Sequence, residues 1–122
     1  MTRRLIANAK DAKFVPDMRY GAPVEGMTWC NVSYDSETGM GSFLLRMAPG
    51  TTSRPHEHMG IEEFFVVSGE LVDCDGTVFR GGDFVSFGAG TKHWSTTKQG
   101  CDLVVFLRQP NRRLAAGEAV DP

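Results

Sequence analysis

The sequence predicts an all-β domain, either a sandwich or a barrel, and three observations support this fold class. The chain carries 14 glycines among its 122 residues and shows little helical periodicity. Six short segments have strand-like composition, and turn-forming residues separate them. Two of these segments, residues 64–67 and 103–107, are apolar at every position, as expected of strands covered on both faces. Many short strands joined by tight turns are typical of sandwiches and barrels.

The strand candidates follow one another closely along the chain. They comprise residues 27–34, 42–47, 63–74, 77–80, 84–87 and 102–108. Glycine, proline, aspartate and serine bound each of them, and these residues punctuate strands for defined conformational reasons. The pair Asp75-Gly76 lies between two strand-like runs and predicts a two-residue hairpin, because both central positions of such a turn need positive φ.

We expect a single domain, since a chain of 122 residues can build one core but not two. Residues 1–26 are polar and include Pro16 and Pro23, so we expect an arm that packs on a barrel formed by residues 27–109. Residues 110–122 are expected to be a C-terminal tail with a helical turn at most. The uniformly apolar strands need cover on their outer face from a second sheet or a second subunit. We therefore expect a homodimer.

Composition and charge exclude several classes of function. The chain is 41% hydrophobic and 23% charged with a net charge of −2, so no basic excess favours nucleic acid. The longest apolar stretch is far too short for a membrane span, and polar residues follow Arg3 and Arg4 where a secretory signal needs an apolar stretch. We expect a cytoplasmic protein whose three cysteines, Cys30, Cys74 and Cys101, are reduced thiols without the spacing of a disulfide framework or zinc knuckle.

All three histidines belong to one pattern: His56, His58 and Glu62, followed by His93. Side chains two apart on a strand point the same way, so His56 and His58 share a face. A return strand that brought Glu62 and His93 to that face would complete a site of three nitrogens and one carboxylate. Any one histidine alone is more often a surface or satisfied core residue, but the joint spacing favours metal ligation. Such ligands suit one divalent transition metal, Zn, Fe, Mn, Ni or Cu, with one or two positions open to water, substrate or O₂.

These residues resemble the first motif of the cupin superfamily. That motif is a glycine, five residues, His-x-His, three or four residues, Glu, six residues and a glycine. Gly50, His56, His58, Glu62 and Gly69 match it. The resemblance implies a small double-stranded β-helix, the jelly-roll barrel of cupins, with these two histidines and this glutamate as metal ligands.

The second cupin motif is matched with two departures. Gly82, Gly90 and His93 stand at the expected positions, which makes His93 the fourth ligand by resemblance. Gly88 replaces the usual proline and Thr97 the usual asparagine. Neither change removes a ligand, but the loop before His93 gains freedom, and Thr97 offers a different hydrogen bond near the ligands.

A narrower resemblance extends over the same region. The segments Ser42-Phe-Leu-Leu-Arg46 and His56-Glu-His58-Met-Gly60 are similar to the cupin domain of zinc-binding anti-sigma factors. They are also similar to small cupins related to dihydroxyacetophenone dioxygenase. The sequence before residue 27 is too short for the helical, zinc-binding domain of an anti-sigma factor. The resemblance therefore implies the cupin part and not the sigma-factor role.

Two hypotheses about function follow. In the first, the chain is a metal-dependent, dioxygenase-like enzyme for a small oxygen-bearing molecule such as a phenol, diketone or hydroxyketone. In the second, it is a non-catalytic zinc-binding module that senses a small molecule or oxidant or serves dimerisation. Glu62 is preferred to Glu63 as the carboxylate ligand, because its parity matches Phe64. Trp94, Met59 and Phe43 are candidate pocket walls, although each is more often plain core.

Overall fold

The structure is a computed structural model that describes residues 3–122, and within this range it contains strands and turns but no helix. The strands are β1 (Val15–Pro16), β2 (Met27–Asn31), β3 (Gly41–Met47), β4 (His56–His58), β5 (Glu62–Asp73), β6 (Val78–Arg80), β7 (Phe84–Phe87), β8 (Lys92–His93), β9 (Ser95–Thr96), β10 (Cys101–Leu107) and β11 (Asn111–Arg113). No helix in the described chain is long and apolar enough to cross a membrane.

The strands form two antiparallel sheets. The larger has the order β1-β2-β3-β10-β5-β6, with β7 and β9 also paired to β5, and the smaller has the order β11-β4-β8. The long strand β5 pairs with four others because its two halves follow different paths. This curled antiparallel arrangement is an all-β jelly-roll barrel, and it confirms the predicted fold class.

The bend in β5 lies at Gly69. Its φ of +85° is left-handed, a region that favours glycine. A β-carbon there would lie 2.1 Å from the carbonyl oxygen of Gly100, so glycine also allows the close approach of the turn that precedes β10. Before the bend β5 pairs with β10 and β7, and after it with β6 and β9. The glycine of the first motif is therefore a structural requirement of the fold.

The core lies inside the barrel and follows the alternation of the strands. In β10 every second residue is buried, and Phe64 and Val66 of β5 face the same interior. The outer face of these strands is only partly covered: the exposed fractions of Phe65, Val67 and Phe106 are 38%, 40% and 42%. The uniformly apolar segments thus have one face in the core and one face outside it.

Two local predictions were wrong. The Asp75-Gly76 hairpin forms, but its loop spans Cys74 to Gly76, and only Gly76 has positive φ. This is a three-residue loop with a glycine in the left-handed conformation rather than a two-residue turn. The second difference concerns the tail: Asn111–Arg113 forms strand β11 on β4 rather than a helical turn. Pairing with a distant strand satisfies its backbone groups, and the local sequence does not contain that information.

Candidate metal centre

Three strands bring the four predicted residues together. His56 and His58 stand two apart on β4, Glu62 begins β5 after a short turn, and His93 ends β8, where it is paired with His56. One ligand atom from each of the four lies within 4.8 Å of the others. His58, Glu62 and His93 are buried and His56 is half-buried. The structure thus brings together all four residues that the motif spacing selects.

The outer nitrogen of each imidazole has a fixed partner. His56 Nδ1 lies 2.8 Å from the carbonyl oxygen of Arg54, which can only accept a hydrogen bond. Thr91 Oγ1 donates to the carbonyl of Gly88 and therefore accepts from His58 Nδ1 at 2.7 Å. These contacts put the proton of each ring on Nδ1 and turn its Nε2 toward the cluster.

The third imidazole is oriented by a buried carboxylate. His93 Nδ1 donates to Asp73 Oδ1 at 2.7 Å, and Ser95 Oγ donates to the same oxygen at 3.1 Å. Asp73 is 4% exposed, so this interaction is shielded from solvent. An imidazole held by a carboxylate in this way is a stronger ligand through its other nitrogen.

The inner atoms of the cluster fit one cation. His58 Nε2 lies 3.1 Å from Nε2 of His56 and of His93, and 2.7 Å from Glu62 Oε2. With the proton of each ring on Nδ1, the Nε2 lone pairs and the Glu62 carboxylate oxygen face one another. One divalent cation accepts lone pairs from all four atoms at once. The cluster could therefore bind a metal.

The surroundings of His56 and Glu62 favour the protonation states in which these side chains can bind a metal. Burial lowers the pKa of His56 to about 4, against the opposing effect of the Glu62 charge, so that imidazole is neutral at neutral pH. Burial alone would raise the pKa of Glu62. The contacts with the neighbouring His58 and His56 side chains outweigh it and lower that pKa to about 2. A neutral imidazole and an ionised carboxylate are the protonation states that metal binding needs.

The side chains of the two neighbouring glutamates, Glu62 and Glu63, lie in different places. Glu62 is 8% exposed and faces the cluster, and Asn111 Nδ2 donates to its Oε1 at 3.3 Å. Glu63 points the other way and pairs with Arg108 at 3.0 Å. The preference for Glu62 over Glu63 thus agrees with the geometry.

The two departures from the second motif have different consequences. The carbonyl of Gly88 accepts the hydroxyl of Thr91 that orients His58. Thr97 lies away from the ligand contacts: its Oγ1 donates to the carbonyl of Glu70 at 2.6 Å and accepts from the amide of Gly100 at 3.0 Å. Thr97 therefore joins β5 to the turn before β10 and makes none of the hydrogen bonds that hold the imidazoles.

A pocket of about 120 Å³ opens beside the cluster, and His56 is in its wall. The segment Asp17–Val24 of the arm, the chain before β4 and strand β11 contribute most of the other lining residues. The candidate walls Trp94, Met59 and Phe43 do not line it: Phe43 is core at 1% exposure, Met59 is 45% exposed, and Trp94 is half-buried elsewhere. A pocket of this size accommodates only a small molecule.

Sequence reasoning missed several residues at this site. Asp73 and Thr91 orient two of the imidazoles, Asn111 contacts Glu62, and Asp17 and Arg19 line the pocket. Asp73 follows the apolar pair Leu71-Val72 near the end of a strand candidate, and an acid in such a position signals a partner, because a buried carboxylate needs one. The others lie in polar sequence that shows no comparable signal.

The fold and the cluster together define a class, a jelly-roll protein with three imidazoles and one carboxylate at its centre. The chain matches the family described as the ChrR cupin-like domain over residues 3–111. It belongs to this cupin family. No curated protein sequence matches the chain significantly.

Solved structures agree with the fold. An acetylacetone dioxygenase from Acinetobacter johnsonii is 18% identical, with a TM-score of 0.75 over 100% of this chain and 85% of that one. The polyketide cyclase RemF from Streptomyces resistomycificus is 21% identical, with a TM-score of 0.71 over 97% and 89%. A chain in the complex of SigE with the anti-sigma ChrR from Rhodobacter sphaeroides is 18% identical in sequence, with a TM-score of 0.62. The match covers 80% of this chain and 49% of that one.

Proposed function

We propose that the chain is a metal-dependent, dioxygenase-like enzyme that acts on a small oxygen-bearing molecule such as a phenol, a diketone or a hydroxyketone. His56, His58, Glu62 and His93 would hold one divalent metal. The observation that carries the proposal is the double role of His56, which belongs to the cluster and also lines the small pocket. A molecule in that pocket lies against a metal-ligating residue rather than at a remote surface.

The chain's own residues have three tasks in this proposal. Arg54, Thr91 and Asp73 orient the imidazoles through Nδ1. The arm segment and β11 enclose the ligand and limit its size. A bound Zn, Fe, Mn, Ni or Cu would polarise the oxygen-bearing ligand and, if redox-active, supply chemistry with O₂.

The test is the metal content of untagged protein together with turnover. We expect about one metal per chain, and oxygen uptake with phenolic or diketone substrates when the metal is Fe, Mn, Ni or Cu. His58→Ala should lose both metal and turnover. Glu57→Ala is the matched control, because Glu57 lies on the same strand but pairs with Arg112 on the opposite face.

Retained turnover in His58→Ala would refute the proposal that the reaction depends on a metal held by His58. Wild-type protein that stays free of metal even after reloading would refute the metal centre itself.

The alternative is a non-catalytic zinc-binding module that senses a small molecule or oxidant, and membership of the ChrR cupin-like family favours it. It predicts tightly held Zn, no turnover, and a ligand-dependent rise in melting temperature. Cys101 is unsuited to a sensor role, because burial raises the pKa of its thiol to about 11. A sensor of this kind would respond through the metal pocket.

A homodimer is part of the proposal. Phe65, Val67, Phe84 and Phe106 form an outer apolar patch on the larger sheet, and Phe84 is 64% exposed. Phe65 is paired directly with Phe84, and the rings of Phe84 and Phe106 are 6.3 Å apart. An exposed patch of this kind is typical of an interface between subunits.

Light scattering of wild-type protein should give the mass of a dimer, and Phe84→Glu should give that of a monomer. Ile6→Glu is the control, because Ile6 is 81% exposed on the arm. A wild-type monomer at assay concentration would contradict the dimer. The cytoplasmic location stays a prediction.

A further inference from the structure

Strand β11 brings a side chain to the candidate ligands. Asn111 is paired directly with His58 in the register of β11 and β4, and residues directly opposite each other in an antiparallel pair share a face of the sheet. The next residue, Arg112, lies opposite Glu57 and forms an ion pair with it at 2.8 Å on the other face. Asn111 is therefore on the face that carries His58, and it is half-buried there.

The carboxylate of Glu62 divides its two oxygens between different neighbours. Oε2 lies 2.7 Å from His58 Nε2, inside the cluster, whereas Oε1 accepts from Asn111 Nδ2 at 3.3 Å. Glu62 is buried, so little water competes for Oε1. Turning the carboxylate so that both oxygens faced the imidazoles would break the contact with Asn111, and a buried acceptor that loses its partner is costly. Asn111 thus keeps Oε2 as the oxygen that faces the imidazoles.

The position of Asn111 does not depend on its own side-chain amide. The backbone of β11 is paired with β4 over three residues, and the backbone N–H of Asn111 donates to the hydroxyl of Tyr20 at 3.4 Å. Arg112 adds its ion pair with Glu57. These contacts hold the strand, so the hydrogen bond from Nδ2 serves Glu62 rather than the docking of β11.

The chemistry of this donor suits the orientation of a metal ligand. A lysine or arginine at residue 111 would neutralise the carboxylate through a charge-assisted hydrogen bond and would compete with a cation for it. The amide of Asn111 is neutral, so it fixes the orientation of Glu62 and leaves the negative charge available. Asn111 also lines the pocket beside His56, so this contact lies where the ligand space meets the cluster.

We propose that Asn111 is a positioning residue for the metal centre: it holds Oε1 of Glu62, so that the carboxylate presents Oε2 alone to the metal. This rests on the proposed function, because the metal is the one that the four clustered residues would hold. Asn111 acts through Glu62 and is not itself a ligand. Its removal should therefore weaken metal binding only when Glu62 is present.

The first experiment measures the affinity of the full chain for Zn²⁺ by competition with a chromogenic chelator. Asn111→Leu keeps a similar volume but removes the donor, and Asn111→Ala is the second variant if the first does not fold. We expect an affinity about tenfold lower than wild type, the smaller end of the range for such a loss, because the donor is neutral and the hydrogen bond long.

Asn31→Leu is the matched control. It makes the same substitution on β2 of the larger sheet, where the amide of Asn31 donates to the carbonyl of Tyr34 at 3.0 Å instead of to a candidate ligand. Its affinity for Zn²⁺ should stay within about twofold of wild type. Melting curves of the metal-free proteins establish that each variant is folded.

A double-mutant cycle tests whether Asn111 acts through Glu62. Glu62→Ala leaves three imidazoles, a set that can still bind Zn²⁺. Adding Asn111→Leu to this variant should change the affinity less than about twofold. The visible absorption spectrum of Co²⁺-loaded protein, which depends on the number and type of ligands, should change in Asn111→Leu and stay unchanged in Asn31→Leu.

Either wild-type affinity or an unchanged Co²⁺ spectrum in a folded Asn111 variant would overturn the proposal. An equal loss of affinity in the Glu62→Ala background would also overturn it, since Asn111 would then act without Glu62. A wild-type chain that binds neither ion would overturn the metal centre and this inference together. Bound metal without turnover would refute only the proposed enzyme activity, because neither measurement uses turnover.

Discussion

Replacing Asp73 by asparagine tests how the cluster is organised. Asp73 is 4% exposed and accepts two hydrogen bonds at one oxygen, from His93 Nδ1 at 2.7 Å and from Ser95 Oγ at 3.1 Å. The change keeps the shape of the side chain but removes its charge. It also allows an amide N–H to face the imidazole, which would favour the tautomer with its proton on Nε2, the atom that the metal needs.

The size of the effect follows from the role of this carboxylate. Removing an acceptor of this kind behind a metal-bound histidine commonly weakens metal affinity about 10- to 100-fold. This corresponds to about 1.4–2.8 kcal/mol. We expect Asp73→Asn to lie toward the upper end, because burial shields the contact and Ser95 shares the same oxygen.

Competition between the protein and a chromogenic chelator measures the affinity for Zn²⁺ directly. Asp11→Asn, at an exposed position of the arm, is the control for a change of one unit in net charge. An affinity for Zn²⁺ within about twofold of wild type in folded Asp73→Asn protein would refute the argument that this carboxylate sets the tautomer and basicity of His93.

Three further predictions concern stability and reactivity. Gly69→Ala should cost more than about 2 kcal/mol of unfolding free energy in denaturant titrations, since a left-handed φ alone costs about 1–2 kcal/mol and its β-carbon would meet the Gly100 carbonyl. Gly76→Ala, with φ of +88° but open space, should cost less. Thr97→Val should cost about 1–3 kcal/mol for its two lost hydrogen bonds and leave Zn²⁺ affinity unchanged; a large loss of affinity would contradict the structure. Cys101 should resist iodoacetamide at pH 8 in folded protein and react on unfolding, as mass spectrometry can measure.

The pH dependence from Cys101 has a definite sign. Burial raises the pKa of its thiol from 9.0 to about 11, so the folded state holds the proton more tightly than the unfolded state. Its contribution to stability is complete below pH 9 and is lost as the pH rises through about 11. Cys101→Ala should reduce the loss of stability over this alkaline interval, and an unchanged slope would contradict the assignment.

Much of the site could be predicted because strand alternation is local information. Glu62, Phe64 and Val66 are all buried, so parity alone distinguishes Glu62 from Glu63. The same reasoning fails for Asp73 because of the bend in β5. Buried positions are even-numbered before Gly69 and odd-numbered after it, and the sequence does not reveal that shift.

Other features could not be predicted because they depend on contacts between distant segments. β11 is polar and short, and its pairing with β4 is absent from its own sequence pattern. The buried position of Arg19 is equally hidden, because an arginine near an aspartate in a polar arm is usually solvated. Its burial depends on Phe43, which lies in a different strand.

The position of β4 has a consequence for the order of events during synthesis. This three-residue strand carries two of the candidate ligands and lies between β8 and β11, which hydrogen-bond to its two edges. A ribosome releases the chain from its N-terminus, so His56 and His58 emerge long before residues 111–113. One edge of the histidine strand is therefore unpaired until residues 111–113 have been translated. If the cluster binds a metal, we expect a nascent chain truncated before residue 111 to bind it more weakly than the longer chain, so that the ion would be acquired only after β11 has paired with β4.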